Sequence, residues 1–200
     1  MSKFIIGLDV DGVVADLVNP ILALNNFYCN IEEEDKFVTK GFTKTATEKD
    51  ITTYRMEQIL GDRQCGLLWG KAEKIEIVRK LPMYEGAKVG IEALREIGRV
   101  VFVTTPSFTY KNWQVERNLW LQSNIPYFEY SDLVSLNDKT LFAGNILIDD
   151  AEHNLRRWKD VTGKPSIKVA RPWNASYEHS HSANSWEEIV SLTKMIFDNQ

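Results

Sequence analysis

The sequence predicts an α/β protein with a doubly wound parallel sheet flanked by helices, and three observations lead there. Short apolar, β-branched runs recur along the 200 residues at Phe4–Leu8, Val100–Val103, Leu133–Val134, Ile146–Ile148 and Ile167–Ala170. They lack the alternation of a half-solvated sheet and so read as strands covered on both faces. The intervals between them carry helical periodicity, and strands alternating with helices make parallel sheets. Finally, the first and fourth runs end in closely spaced acids, at the carboxyl ends where such sheets bind ligands.

Each element follows in order. After the first strand, a helix is expected from Gly86 to Ile97, with Val89, Leu94 and Ile97 on one face. The second strand is followed by a helix over Lys111–Gln122, the fourth by one from about Ala151 to Lys159, and the fifth by a last helix over Trp186–Phe197. Trp113 and Trp120 on the second of these helices read as packing residues. Arg117 reads as a solvated helix arginine, with a phosphate contact as the alternative.

Residues 17–81 depart from this pattern. They contain no buried strand, but have helical stretches near Pro20–Tyr28, Glu48–Leu60 and Lys71–Lys80, and an acidic run, Glu32–Asp35, of solvated character. The segment begins just after the first strand and returns through Pro82 and Gly86. The expected organisation is therefore a core of residues 1–16 and 82–200, with residues 17–81 as a small helical cap over the rim and a separate helical packing layer as the alternative.

Composition excludes several classes of function. With 44% hydrophobic and 26% charged residues the chain is of ordinary globular type, and no run approaches the roughly 20 apolar residues of a membrane span. No secretory signal pattern precedes the first strand, so a cytoplasmic location is expected. Cys29 and Cys65 lack metal-ligand spacing and read as free thiols of a reducing compartment. A net charge of −4, with Lys and Arg scattered, argues against polymeric nucleic acid as the main partner, while a small anionic ligand can still bind at a local positive site. His179 and His181 alternate like metal ligands but lack a third partner, and read as loop residues.

The chemistry starts at Asp9-Val10-Asp11-Gly12, where Gly12 lets the chain bend so that both acids converge beyond the strand. Two close carboxylates repel unless a cation or shared proton intervenes, which suggests a hard metal such as Mg2+ with a phosphate oxygen in its shell. Asp-Gly also makes ordinary turns, so the segment alone leaves both readings open. The second strand closes as Thr104-Thr105-Pro106, offering hydroxyl and backbone donors to a phosphate oxygen. Lys139, in Asn137-Asp138-Lys139-Thr140, can neutralise phosphate charge. The fourth strand ends in Asp149-Asp150, and paired acids after a buried strand again point to a metal.

In this order, Asp9-Val10-Asp11-Gly12, Thr104, Lys139 and Asp149-Asp150 resemble the four motifs of the haloacid dehalogenase superfamily. Asp9-Val10-Asp11-Gly12-Val13-Val14-Ala15-Asp16, Phe102-Val103-Thr104-Thr105-Pro106 and Ile148-Asp149-Asp150 are most similar to its 5'(3')-deoxyribonucleotidases. That resemblance implies a Rossmann-like parallel sheet with the cap inserted after the first strand. It also implies a Mg2+-dependent phosphatase that hydrolyses deoxyribonucleoside 5'- and 3'-monophosphates such as dUMP and dTMP. Asp9 would be the nucleophile, forming an aspartyl phosphate, and Asp11 the acid that protonates the leaving sugar oxygen and then activates water. Thr104, Thr105 and Lys139 would hold the phosphoryl oxygens. Mg2+ would be held by the Asp9 carboxylate, the Asp11 carbonyl and the Asp149–Asp150 pair, with Asp150 preferred as the direct ligand.

The cap carries the resemblance less far. Leu17 stands where a base-contacting phenylalanine is usual, and Phe42 and Trp69 are the other candidates for the base, with cap packing as their alternative role. The other readings kept open are a phosphatase of the same fold acting on a sugar phosphate or other small phosphoester, and a binding module without turnover. A homodimer is compatible with the sequence.

Overall fold

The computed structural model describes residues 4–31, 40–107 and 109–199. The expected acidic surface run at Glu32–Asp35 lies outside the described residues. Six strands form one parallel sheet: β1 Ile5–Leu8, β2 Arg99–Thr104, β3 Leu133–Ser135, β4 Ile146–Asp149, β5 Ser166–Val169 and β6 Ser182–Ala183. Their order is β3-β2-β1-β4-β5-β6, so the chain first builds outward from β1 in one direction and then returns to build in the other. The reversal falls between β1 and β4, which pair through Ile6–Ile146, Gly7–Leu147 and Leu8–Ile148. A crevice opens at such a switch point, beyond the carboxyl ends of the two strands. β6 was not among the expected strands, because two residues on a sheet edge carry no periodicity to read.

Alternation along the strands divides the core between the sheet's two faces. Ile6, Leu8, Val100, Phe102, Ile146 and Ile148 belong to the larger cluster, together with Ile91 and Leu94 of α4 (Ala87–Ile97), Trp120 and Leu121 of α5 (Trp113–Asn124), and Ile189 of α7 (Trp186–Asp198). Val101, Val103 and Leu147 face the other way and pack with Phe142 and with Trp158 of α6 (Glu152–Thr162). Helices thus cover both faces, which is why the strands read as continuous apolar runs.

The phase of α4 differs from expectation. Val89 is 71% exposed, and the buried residues are Ala87, Gly90, Ile91 and Leu94. Those positions recur at the helical period, and Gly90 leaves the hollow into which the Trp186 indole of α7 fits.

Between β1 and α4 lie α1 (Val18–Cys29), a short 3-10 turn at Glu48–Asp50, a one-turn α2 (Glu57–Leu60), α3 (Asp62–Lys74) and a second 3-10 turn at Ile77–Lys80. The helix expected over Glu48–Leu60 is therefore broken. The Thr47 N–H and hydroxyl both bond the Asp50 carboxylate at 2.7 Å, closing a cap, and the β-branched Ile51-Thr52-Thr53 do not extend it. The stretch expected over Lys71–Lys80 likewise ends early, because Glu76 takes the left-handed conformation at φ 53°. The helix instead begins at Asp62, running through Gly66 and Gly70. The two ends of this helical segment are joined: the Asp16 N–H bonds Pro82 O and the Tyr84 N–H bonds Val14 O, each at 2.9 Å. Cys29 and Cys65 are free thiols. Among the described residues no helix is long and apolar enough to cross a membrane.

The α4–α7 contact yields a test. Replacing glycine by alanine inside a helix ordinarily gains about 1 kcal/mol. At Gly90, however, a methyl group would lie 2.9 Å from Cδ2 and 3.1 Å from Cζ3 of the buried Trp186 ring. Overpacking of that kind costs about 1–3 kcal/mol, so Gly90→Ala should lower stability in urea unfolding rather than raise it.

Candidate active site

The switch-point crevice collects the acids. One oxygen each from Asp9, Asp149 and Asp150 lie within 4.8 Å of one another, and all three residues are buried. Asp9 follows β1 directly and its N–H bonds Ile148 O at 2.9 Å, locking the two strand ends together. Lys139, on a 3-10 turn at Lys139–Leu141, sends its ammonium between Asp9 Oδ1 and Asp149 Oδ2, 2.8 Å from each. Its side chain is only 2% exposed. Burial opposes the lysine's charge, but Asp149 and Asp9 outweigh burial and hold its pKa above the ordinary lysine value.

The oxygens of these acids are unequally occupied. Asp9 Oδ1 takes the Val10 N–H at 2.8 Å as well as Lys139, and its second oxygen has no hydrogen bond among the described residues. Asp149 is saturated: Oδ1 accepts from the Ala151 N–H at 2.8 Å, Oδ2 from Lys139, and the Asn154 amide approaches both. Asp150 Oδ2 accepts from the Trp173 indole at 2.6 Å, but Oδ1 is buried without a partner among the described residues. A buried carboxylate oxygen left bare in native structure needs an explanation, and a cation supplies one. The donor set, three carboxylates at a position otherwise too acidic, fits a hard divalent ion such as Mg2+.

Asp150 is held by a loop after β5. The Asn174 amide donates to Asp150 O at 2.7 Å and to Val169 O at 2.8 Å, and its own oxygen accepts the Arg171 N–H at 3.0 Å. Arg171 Nε bonds Gly12 O at 2.7 Å, and its guanidinium lies 3.7 Å from the Tyr84 ring centroid. Gly12 has φ +79°, and any side chain there would overlap the Asp150 carboxylate. The glycine is thus required twice, for backbone shape and for space.

Thr104 ends β2 with its hydroxyl buried and, among the described residues, without a hydrogen-bond partner. Thr105 is placed differently: its hydroxyl already donates to Leu136 O at 3.0 Å. Asp11 lies just past Asp9, and its Oδ1 forms an ion pair with Arg117 of α5. Burial raises the Asp11 pKa, with Arg117 and then Lys139 acting against it. Arg117 is fully buried, so it is not the solvated arginine expected. It lies on the same helical stripe as Trp113 and Trp120, and a cation on that apolar stripe was the signal available in the sequence.

The helical segment contributes Tyr54, which sequence reasoning did not single out. Its ring meets His153 edge-on at 4.9 Å and remains 55% exposed. Its phenol is pushed well above the ordinary pKa by burial and then by Asp150, Asp9, Asp149 and Asp11. Trp69 is half-buried, with its ring 6.3 Å from that of Trp113. Leu17 is partly buried against the core. Phe42 is 7% exposed and stacks on Tyr28 at 5.0 Å, so its ring serves the interior of the helical segment. His179 is tied to Ser166 Oγ at 3.1 Å and to the Tyr177 hydroxyl at 3.2 Å, outside the acid cluster.

Comparison with known proteins identifies the family. The profile described as 5' nucleotidase, deoxy (pyrimidine), cytosolic type C protein matches residues 3–197. The chain belongs to that family. It is a phosphoric monoester hydrolase of the nucleotidase class. The 5'(3')-deoxyribonucleotidase of Bacillus subtilis (strain 168) is 24% identical over 187 residues, covering 94% of this chain and 96% of the relative. The protein of the same name from Bacillus phage SPbeta matches equally. Among solved structures, a haloacid dehalogenase-like hydrolase of Burkholderia xenovorans LB400 superposes with TM-score 0.61 at 14% identity, covering 97% of this chain and 98% of that one. A HAD family hydrolase of Deinococcus radiodurans R1, solved with bound phosphate and sodium, gives 0.59 at 12% identity and 96% coverage of both. These likenesses establish the haloacid dehalogenase-like fold expected from the sequence.

The acid cluster predicts a pH-dependent stability. Burial and then Asp149 raise the Asp150 pKa to about 7 in the absence of a cation, against an unfolded value of about 3.9. Between those values the unfolded chain has released a proton that the folded chain keeps, so folding stability declines as pH rises through this window. Thermal unfolding in EDTA should therefore show a lower midpoint at pH 8 than at pH 5. Added Mg2+ should raise the midpoint more at pH 8, and Asp150→Asn should flatten both effects.

Proposed function

We propose that this enzyme is a Mg2+-dependent phosphatase of deoxyribonucleoside 5'- and 3'-monophosphates, such as dUMP and dTMP, working through an aspartyl phosphate on Asp9. The observation that carries the reading is the asymmetry of the acid cluster. Lys139 and the Val10 N–H hold one oxygen of Asp9 and leave the other free to attack phosphorus. The names of the Bacillus relatives support the substrate class.

Each residue then has a role. Asp9 forms the bond to phosphorus as the sugar oxygen departs, and Asp11 protonates that oxygen. Asp11 next takes a proton from water, whose oxygen attacks phosphorus and releases Asp9 and inorganic phosphate. Thr104 and Lys139 bind the phosphoryl oxygens, whose charge spreads in the transition state. The Thr105 side chain anchors its loop to Leu136 and leaves any phosphate contact to its backbone. Mg2+ would be held by Asp9, the Asp11 carbonyl and Asp150, with Asp149 orienting Lys139; when bound it neutralises the phosphate and the acid cluster. Asp150 is favoured as the direct ligand because its Oδ1 is bare, whereas Asp149 is saturated.

Residues 17–81 act as a cap that closes over the bound nucleotide, with Tyr54 and Trp69 offered to the base and Leu17 lining the entrance. The paired backbone hydrogen bonds between Val14–Asp16 and Pro82–Tyr84 form its hinge. The free thiols Cys29 and Cys65 fit a cytoplasmic enzyme.

Hydrolysis of dUMP and dTMP should require Mg2+ and fall by about 1000-fold or more in Asp9→Asn, measured as phosphate release. Activity surviving that substitution overturns the mechanism, and equal turnover of deoxyribose 5-phosphate overturns the nucleotide assignment in favour of a sugar phosphatase. Because stacking on a base contributes about 1–3 kcal/mol, Tyr54→Ala should raise KM for dTMP by about 10-fold while changing p-nitrophenyl phosphate hydrolysis little.

A further inference from the structure

Arg117 is built in a way that packing alone does not explain. Its guanidinium is shut off from solvent, with the rings of Trp113 and Trp120 at 5.4 and 5.3 Å from its central carbon. Among the described residues Nη1 and Nε have no hydrogen-bond partner, and Nη2 bonds Asp11 Oδ1. Among the described residues Asp11 is the one carboxylate within ion-pair range. Burying a guanidinium with most of its donors unpaired is costly, and an apolar side chain would fill the same stripe more stably. The arrangement therefore serves Asp11 rather than the stability of α5.

The effect on Asp11 is directional. Its side chain keeps 19% of its surface exposed, Oδ1 is occupied by the arginine, and Oδ2 has no hydrogen bond among the described residues. The two flanking indoles hold the guanidinium in place by cation–π contact, so the carboxylate inherits a fixed orientation.

We propose that Arg117 is the positioning residue of Asp11, fixing the carboxylate through Oδ1 so that Oδ2 alone carries the proton. This rests on the reading of Asp11 as the acid and base of the reaction. In the first step the Asp11 Oδ2–H bond breaks and the proton goes to the sugar oxygen as its bond to phosphorus breaks and the Asp9–phosphorus bond forms. In the second step Oδ2 takes a proton from water, the water oxygen bonds phosphorus, and the Asp9–phosphorus bond breaks.

Leaving-group dependence separates positioning from structural support. The alkoxide of dUMP needs the proton in order to depart, whereas p-nitrophenolate leaves without one. Arg117→Met keeps an unbranched stem between the indoles and removes the charge. In the Mg2+-loaded enzyme it should lower kcat for dUMP about 100-fold, the scale of general acid catalysis, with KM changed less than about 3-fold, since the substrate contacts are retained. First-turnover release of p-nitrophenol from p-nitrophenyl phosphate should stay within about 3-fold of the parent, followed by slow steady turnover as the second step loses its base. Arg117→Lys, which keeps the charge but loses the planar fork, should show the same split reduced to about 10-fold.

Equal losses on dUMP and on the first p-nitrophenol turnover, or no loss on dUMP, overturn the proposal. If Arg117→Met does not fold, as judged by circular dichroism, Arg117→Lys decides by the presence or absence of the split. Asp11→Asn distinguishes the two levels. Full dUMP turnover in that variant removes the acid–base reading itself, whereas a split in Asp11→Asn without one in the Arg117 variants removes only the role given to the arginine.

Discussion

Three buried carboxylates stand at the reversal between β1 and β4, and their mutual repulsion is the constraint around which the remainder of the site is arranged. Lys139 answers part of it, placing one ammonium 2.8 Å from both Asp9 and Asp149. One ammonium does not balance three carboxylates; burial, and then Asp149, hold the Asp150 pKa up, and among the described residues its Oδ1 has no hydrogen-bond partner. A divalent cation bound there would restore the balance, and a phosphoryl group could then bring its own negative oxygens to the same place.

The acids can be held this close only because the framework behind them is rigid. Asp9 and Asp149 end adjacent parallel strands whose register is locked by Leu8–Ile148 pairing and by the Asp9 N–H to Ile148 O bond. Asp150 is turned by the Trp173 indole and the Asn174 amide, and its carboxylate occupies the space that a side chain at position 12 would need. Arg171 ties this loop to Gly12 and stacks on Tyr84, at the point where the helical segment rejoins the core. The Asp150 side of the site and the base of the helical segment therefore share one set of contacts.

Much of the site was legible because its residues lie at strand ends. A buried strand announces itself by composition, and the residue that follows it is placed by the sheet; Asp9, Thr104 and the Asp149–Asp150 pair were accessible to that logic. Lys139 was singled out by the resemblance of the ordered motif set rather than by any local pattern. Arg117, Trp173 and Asn174 were not, because each acts through a partner far away in the chain. Arg117 reaches Asp11 across 106 positions, and Trp173 reaches Asp150 across 23. Val89 and Phe42 illustrate the converse: both are apolar, but one is exposed and the other is consumed by packing on Tyr28.

By itself the sequence determined five of the six strands of the sheet, β1 to β5, the rim on which the acids gather and the family resemblance, since these rest on local composition and on order along the chain. Only the tertiary structure decided which oxygen of each acid is free, which helix face is buried, and that an arginine on an apolar stripe meets Asp11. The physical reason is that hydrogen bonds and ion pairs are short-ranged and directional. They depend on how strands, helices and loops are brought together in space, and no local pattern along the chain records that.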